Sequence, residues 1–210
     1  MQPRYKYPKT PHLPWSETIG ADDKKLKDDS QFCGKRVVIT EKMDGENTTI
    51  YRDGYHARSI DSVHRGYHSW LLAHLPQFQY LLNEDERICG EYLYAKHSIY
   101  YNNLADYFLG FSIWTNNICW SWEDSIKEFN RLNLALVPII YIGEYNRDIM
   151  LQSAKEVIAE GGEGIVVRNA DSFTLNEFPH NIAKYVRSNH VQTDEHWSQR
   201  TIECNQLWQK

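Results

Sequence analysis

Apolar and polar positions alternate along parts of this chain and recur at helical spacing along others. Arg36 to Glu41 is a β-branched run that predicts a strand, and residues 47–52 and 55–59 predict two more, with Asp53-Gly54 as the tight turn between them. These three read as one antiparallel meander. From 64 to 82 the period changes: Tyr67, Trp70, Leu71, His74 and Leu75 recur at three and four, as on a helix face, until Pro76 interrupts. Strands follow over 87–95 and 107–114, then a helix over 122–132 with Glu123 and Asp124 in its first turn. An apolar strand over 136–142, a helix over 148–160, a buried strand over 165–168, a last strand over 180–187 and a short terminal helix within 190–208 complete the reading. Strands grouped as hairpins with intermittent helices predict an α+β fold of antiparallel sheets, not a βαβ alternation.

The N-terminal residues behave differently. Pro3, Pro8, Pro11 and Pro14 forbid a helix, so residues 1–36 read as an extended arm laid over one domain at 37–210. Residues 21–30 mix both signs of charge around a single leucine and predict a solvated turn or loop. With 210 residues, 41% of them hydrophobic, the chain can bury one core and has no room for a second full domain. It lacks a run of eighteen apolar residues and a signal-peptide core, and its mean hydropathy is −0.63, which predicts a soluble cytoplasmic protein away from membranes. Cys33, Cys89, Cys119 and Cys204 are too scattered for a zinc ribbon or a disulfide framework and read as reduced thiols; the nine histidines form no ligand cluster. A net charge of −5 argues against a generally basic surface and leaves room for a local basic groove, since the first forty residues carry a modest positive excess.

Candidate chemistry begins at Glu41 to Asn47. Lys42 stands where the first strand gives way to a Gly-containing turn, so its amine is presented. An amine there can attack an electrophile or pair with phosphate; a plain strand-edge lysine is the ordinary alternative. Arg58, Glu91, Glu163, Lys184 and Arg187 each have an equally ordinary reading as surface, edge or turn residues. Taken with Lys42, they form a set of cations and carboxylates delivered by different strands, which is what a nucleoside triphosphate with a divalent metal requires.

These residues resemble a known family. Lys42-Met43-Asp44-Gly45-Glu46-Asn47 is similar to the nucleophile motif of the covalent nucleotidyltransferases, the superfamily of polynucleotide ligases and mRNA capping enzymes. Arg58-Ser59 resembles its second motif, Gly90-Glu91-Tyr92 its third, Phe108 to Phe111 its aromatic motif, Glu163 to Arg168 its fourth and Ala183 to Arg187 its fifth. The six stand in the family's order across residues 42–187. Asn47 and the opening Tyr7 to Trp15 are most similar to nick-sealing RNA ligases and to bacterial and phage RNA ligase-like proteins. Two positions depart from the pattern: Ser112 stands where an aspartate usually follows the aromatic motif, and Val186-Arg187 replaces the second lysine of the fifth.

The resemblance implies a nucleotidyltransferase fold with nucleotide in a groove between antiparallel sheets. It implies ATP with Mg²⁺ or Mn²⁺ as cofactors and an RNA or RNA-containing nicked duplex as partner, handled by a monomer of minimal form without an OB domain. Lys42 is the implied nucleophile, forming lysyl-AMP before the AMP passes to a 5′-phosphate and is displaced by a 3′-hydroxyl. Glu41, Asn47, Arg58, Glu91, Phe111, Lys184 and Arg187 are the implied nucleotide contacts, Glu91 at a ribose hydroxyl and Phe111 on the adenine, with Glu163 for the metal. Attack needs a neutral amine, and Arg58, Lys184 and the metal are expected to lower the Lys42 pKa. The rival readings are a DNA ligase or capping-type nucleotidyltransferase, a non-catalytic nucleotide- or RNA-binding protein of the same fold, and an aromatic-rich protein-binding domain.

Overall fold

The computed structural model describes residues 2–16, 23–62, 65–188 and 201–209. Two antiparallel sheets dominate, as the alternating pattern requires. The first contains β1 (Arg36–Glu41), β7 (Ile139–Glu144), β8 (Gly164–Asn169) and β10 (Ile182–Val186) in the order β10-β8-β1-β7. The second contains β2 (Glu46–Tyr51), β3 (Gly54–Ala57), β4 (Glu86–Tyr92), β5 (Phe108–Thr115), β6 (Ile118–Cys119) and β9 (Phe173–Thr174) in the order β3-β2-β4-β5-β6-β9.

The strand β1 is apolar without alternation because both its faces are covered. Val37 and Ile39 pack with Met150 and Ala154 of helix α3 (Arg147–Ala159), and Val38 packs on the opposite side with Leu109, Trp122 and Val137. Helix α2 (Trp122–Arg131) starts where Ser121 Oγ accepts from the Asp124 N–H, and α3 starts where Asn146 Oδ1 accepts from the N–H groups of Asp148 and Ile149. The proline-rich arm is part of this body: Leu13 and Phe32 are fully buried in the same cluster as Val37 and Ile39.

Four expectations change. The predicted meander is broken, because β1 pairs with β7 and β8 while β2 pairs with β3 and β4; the turn after β1 passes between the two sheets. The helix of 64–82 shrinks to α1 (Ser69–His74) flanked by 3-10 turns at Gly66–His68, Leu75–Gln77 and Gln79–Leu81, since Pro76 caps its length and Leu71, Leu75 and Leu82 are buried without a continuous helix. The strand of 136–142 starts later. Val137 donates to Gly110 O in the second sheet, and Pro138 has no N–H to give though its carbonyl accepts from the Glu41 N–H at 2.9 Å, so the strand paired with β1 runs from Ile139. Of the terminal helix at 190–208, residues 189–200 lie outside the described residues, and 201–208 are non-helical, with bridges from Cys204 to Ala95 and Leu207 to Leu104. All four cysteines are free, and among the described residues no helix is long and apolar enough to cross a membrane. A short helix, α4 (Phe178–Asn181), leads into β10.

Candidate active site

Burial of β1 on both faces fixes its register, so the turn at residues 42–45 leaves the first sheet at a defined place. The Lys42 N–H donates to Gly164 O at 2.9 Å, tying the turn to the start of β8. A side chain on Gly164 would place Cβ 2.0 Å from Tyr185 O, so the neighbouring strand approaches as closely as a glycine permits. Gly45 does the same on the other side: its Cβ would stand 2.6 Å from Tyr92 O and 2.7 Å from Leu93 Cδ2, and its N–H donates to Glu91 Oε1 at 3.2 Å. Gly45→Ala therefore forces the turn off β4. The expected cost is about 1–3 kcal/mol, read as a lower melting temperature, and a displaced Lys42 in whatever fraction stays folded.

Asp44, whose sequence gives no role, holds a loop. Its Oδ2 accepts from the N–H groups of Ser98 and Ile99, both at 2.7 Å, and its own N–H donates to the Tyr101 hydroxyl at 2.9 Å. The loop is clamped from behind by Asn205, which donates to Leu93 O at 2.7 Å and accepts from the Tyr101 N–H at 2.9 Å. Between these two anchors His97 reaches the cavity wall.

Eight of the nine predicted residues line one cavity of about 530 Å³: Glu41, Lys42, Asn47, Arg58, Glu91, Phe111, Glu163 and Lys184. Lys42 Nζ donates to Glu163 Oε2 at 2.7 Å, and Glu163 is 4% exposed. Arg58 is exposed at the wall, and Asn47 Oδ1 is buried with no hydrogen-bond partner among the described residues. Phe111 is half-buried and meets Tyr7 edge-on, with ring centroids 5.3 Å apart. Ser112, one residue on, points to the other side of β5 and accepts from Trp114 Nε1 at 3.0 Å, so its departure from the family pattern falls in the core. Arg187 is the exception: its side chain is off the cavity wall, and its backbone N–H donates to Glu163 O at 3.0 Å.

In the ligand-free protein the electrostatics at Lys42 run opposite to the shift expected with metal bound. Burial alone would lower the Lys42 pKa, but Glu163, Glu91 and Asp44 outweigh it and hold the ammonium above the ordinary lysine value. The expected lowering by neighbouring cations falls on Lys184 instead, which burial pushes down, with Lys42 and Arg58 adding to the shift against the pull of Asp23. Burial raises Glu41, helped by Glu160. It pushes the Glu91 carboxyl up to about 8, with Lys42 opposing and Glu163 reinforcing the shift. A carboxyl raised in the folded state favours folding while it keeps its proton. That contribution is complete below about pH 4.5 and is lost as pH rises through about 8. Denaturant titrations of the ligand-free protein across this window should show stability falling with pH, and Glu91→Gln should flatten the fall.

Several wall residues escaped the sequence reading. Tyr7, Lys9, Thr10 and Asp23 come from the N-terminal segment, His97 from the loop held by Asp44, and Trp122 from a helix start. The resemblance of residues 7–15 to RNA ligase-like openings is the one sequence signal for Tyr7, Lys9 and Thr10, and Asp23 has none.

Comparison with known proteins agrees with this architecture. The profile of the RNA ligase family matches residues 35–186, well over half of the chain. No curated protein sequence matches significantly. Among solved structures, an archaeal ATP-dependent RNA ligase superposes with a TM-score of 0.62 at 17% identity, covering 88% of this chain and 48% of that one. A putative ATP-dependent DNA ligase from Aquifex aeolicus gives 0.60 at 20% identity, covering 89% and 51%. The RNA ligase of Naegleria gruberi, solved with pyrophosphate, gives 0.58 at 18% identity, covering 95% and 64%. The chain thus spans about half the length of the archaeal and Aquifex proteins.

Proposed function

Because the chain belongs to the RNA ligase family, we propose that it joins RNA 3′-hydroxyl and 5′-phosphate ends with ATP, at nicks in duplexes, through AMP carried on Lys42. The observation that carries this reading is the convergence of Lys42, Glu91, Glu163 and Lys184 from four separate segments on one cavity wall. In the first step Lys42 Nζ gives up a proton to water at the cavity mouth and donates its lone pair to the α-phosphorus of ATP. The N–P bond forms, the bond from phosphorus to the bridging oxygen breaks, and pyrophosphate leaves with the electron pair. A 5′-phosphate oxygen then takes the AMP from Lys42, and a 3′-hydroxyl displaces AMP to close the break.

Each step develops negative charge on phosphate oxygens, which Lys184 and the exposed Arg58 are placed to stabilise. Phe111 offers a face to the base, and Asn47 Oδ1 is an unused acceptor beside the nucleotide. Glu91 keeps the turn closed through Oε1, which accepts from the Gly45 N–H, and its other oxygen is left for a ribose hydroxyl.

The side chains fit a divalent ion of the Mg²⁺ or Mn²⁺ kind. Glu163 presents a carboxylate to the cavity wall, and phosphates and water would supply the rest of an oxygen shell. Glu163 would hold such an ion, which would supply positive charge to the phosphate oxygens.

The likeness to a putative DNA ligase supports a second reading in which the broken strand is DNA. A sealing assay on nicked duplexes, with RNA or DNA on each side of the break, separates them. Sealing that requires RNA at the 3′-hydroxyl end supports the first reading; equal sealing of all-DNA nicks supports the second; adduct formation without any sealing would contradict both.

A further inference from the structure

The N-terminal segment brings its own anion to the cationic end of the cavity. Residues 11–13 extend the first sheet beyond β10: the Lys184 N–H donates to Pro11 O at 2.9 Å and the Leu13 N–H to Lys184 O at 2.8 Å. Residues 24–26 line up on the arm's other side, where the His12 N–H donates to Lys24 O at 2.7 Å and the Leu26 N–H to His12 O at 2.8 Å. This double pairing sets Asp23 over Lys184. Its Oδ2 lies 3.3 Å from Nε2 of the buried His12 and 3.9 Å from Lys184 Nζ. Burial would raise the Asp23 carboxyl, but Lys184, His12 and Lys9 together hold it below the ordinary range. Asp23, Lys9 and Lys184 share the cavity wall with Lys42.

Carboxylate and phosphate oxygens satisfy the same lysine and imidazole donors. An acid held by such donors, at the end of the cavity that Lys9 and Lys184 line, sits where a phosphate group of a ligand would sit. We propose that Lys9, His12 and Lys184 form a subsite for the phosphates beyond the one attacked, and that Asp23 occupies it as an internal competitor. Asp23 thereby makes nucleotide affinity depend on phosphate charge: a triphosphate displaces it, and a ligand without phosphates does not. This rests on the nucleotide reading above.

The consequence has an unusual sign, because removing an acid from the site tightens binding. Calorimetric titration of the whole protein with inorganic pyrophosphate, ATP and adenosine tests it. Asp23→Asn should bind pyrophosphate and ATP about tenfold more tightly and adenosine unchanged. Lys9→Ala, at the same wall, should weaken pyrophosphate several-fold and leave adenosine alone. Pyrophosphate and ATP affinities in Asp23→Asn equal to or weaker than wild type overturn the proposal, as does pyrophosphate binding indifferent to Lys9→Ala. Pyrophosphate binding is read without covalent chemistry. If wild type forms no adduct with ATP, the ligase reading fails, while tighter pyrophosphate binding in Asp23→Asn still supports the subsite.

Discussion

Lys42→Arg gives a folded protein that binds ATP and takes up no AMP, with transfer reduced by at least about 10³-fold. Arginine keeps the ion pair with Glu163, so the buried carboxylate keeps its counter-ion, but a guanidinium has no lone pair to offer at accessible pH. Lys42→Ala loses transfer equally and adds a stability cost, because Glu163 is then a buried, uncompensated anion. Lys184 does not substitute. It is carried on β10 beside Asp23, whereas Lys42 is carried on the turn tied to the start of β8. Radiolabel transfer from ATP and thermal melting, measured together on the two variants, separate the missing nucleophile from the missing charge.

Glu163→Gln is the second large effect, and two opposed terms decide it. Glutamine can still accept from Lys42 but loses the charge that helps to hold the ammonium protonated. A hydrogen bond to a charged group contributes about 1.5–3 kcal/mol, or roughly a ten- to hundredfold gain in the neutral amine fraction. Against that stands the lost anionic ligand for the divalent ion and the lost ordering of Lys42, a preorganised electrostatic contribution of about 10²- to 10³-fold. The loss wins, and the net rate of adduct formation should fall by about tenfold or more. The gain is visible separately: in metal-free protein, an amine-reactive probe should label Lys42 at lower pH in Glu163→Gln than in wild type. An unchanged labelling profile would show that Glu163 does not control that amine.

The sequence made individual elements legible and their partners much less so. The strand β1 and the helix α2 announce themselves by a β-branched run and by Glu123 and Asp124 in an acidic first turn. The partners of β1 are β7 and β8, about a hundred residues away, and local pattern carries no information about such pairing. The turn at 42–45 therefore looked like a hairpin and is a passage between sheets. The nominated wall residues came together because motif order reports topology. Arg187 did not, since it lies just beyond β10 and serves through its backbone. Asp23 was invisible in a stretch whose mixed charges match an ordinary solvated loop. The carboxylates that face Lys42 in the ligand-free protein were not legible for the same reason: they depend on β4 and β8, and only the folded chain brings Glu91 and Glu163 to it.

The central claim is that Lys42 is the amine that becomes joined to the nucleotide. Intact-protein and peptide mass spectrometry after incubation with ATP and Mg²⁺ tests it most directly. Wild type should gain the mass of one AMP, mapped to the peptide containing Lys42, and Lys42→Arg should gain none. An adduct on Lys42→Arg, or an AMP mapped to any other residue of wild type, would contradict it.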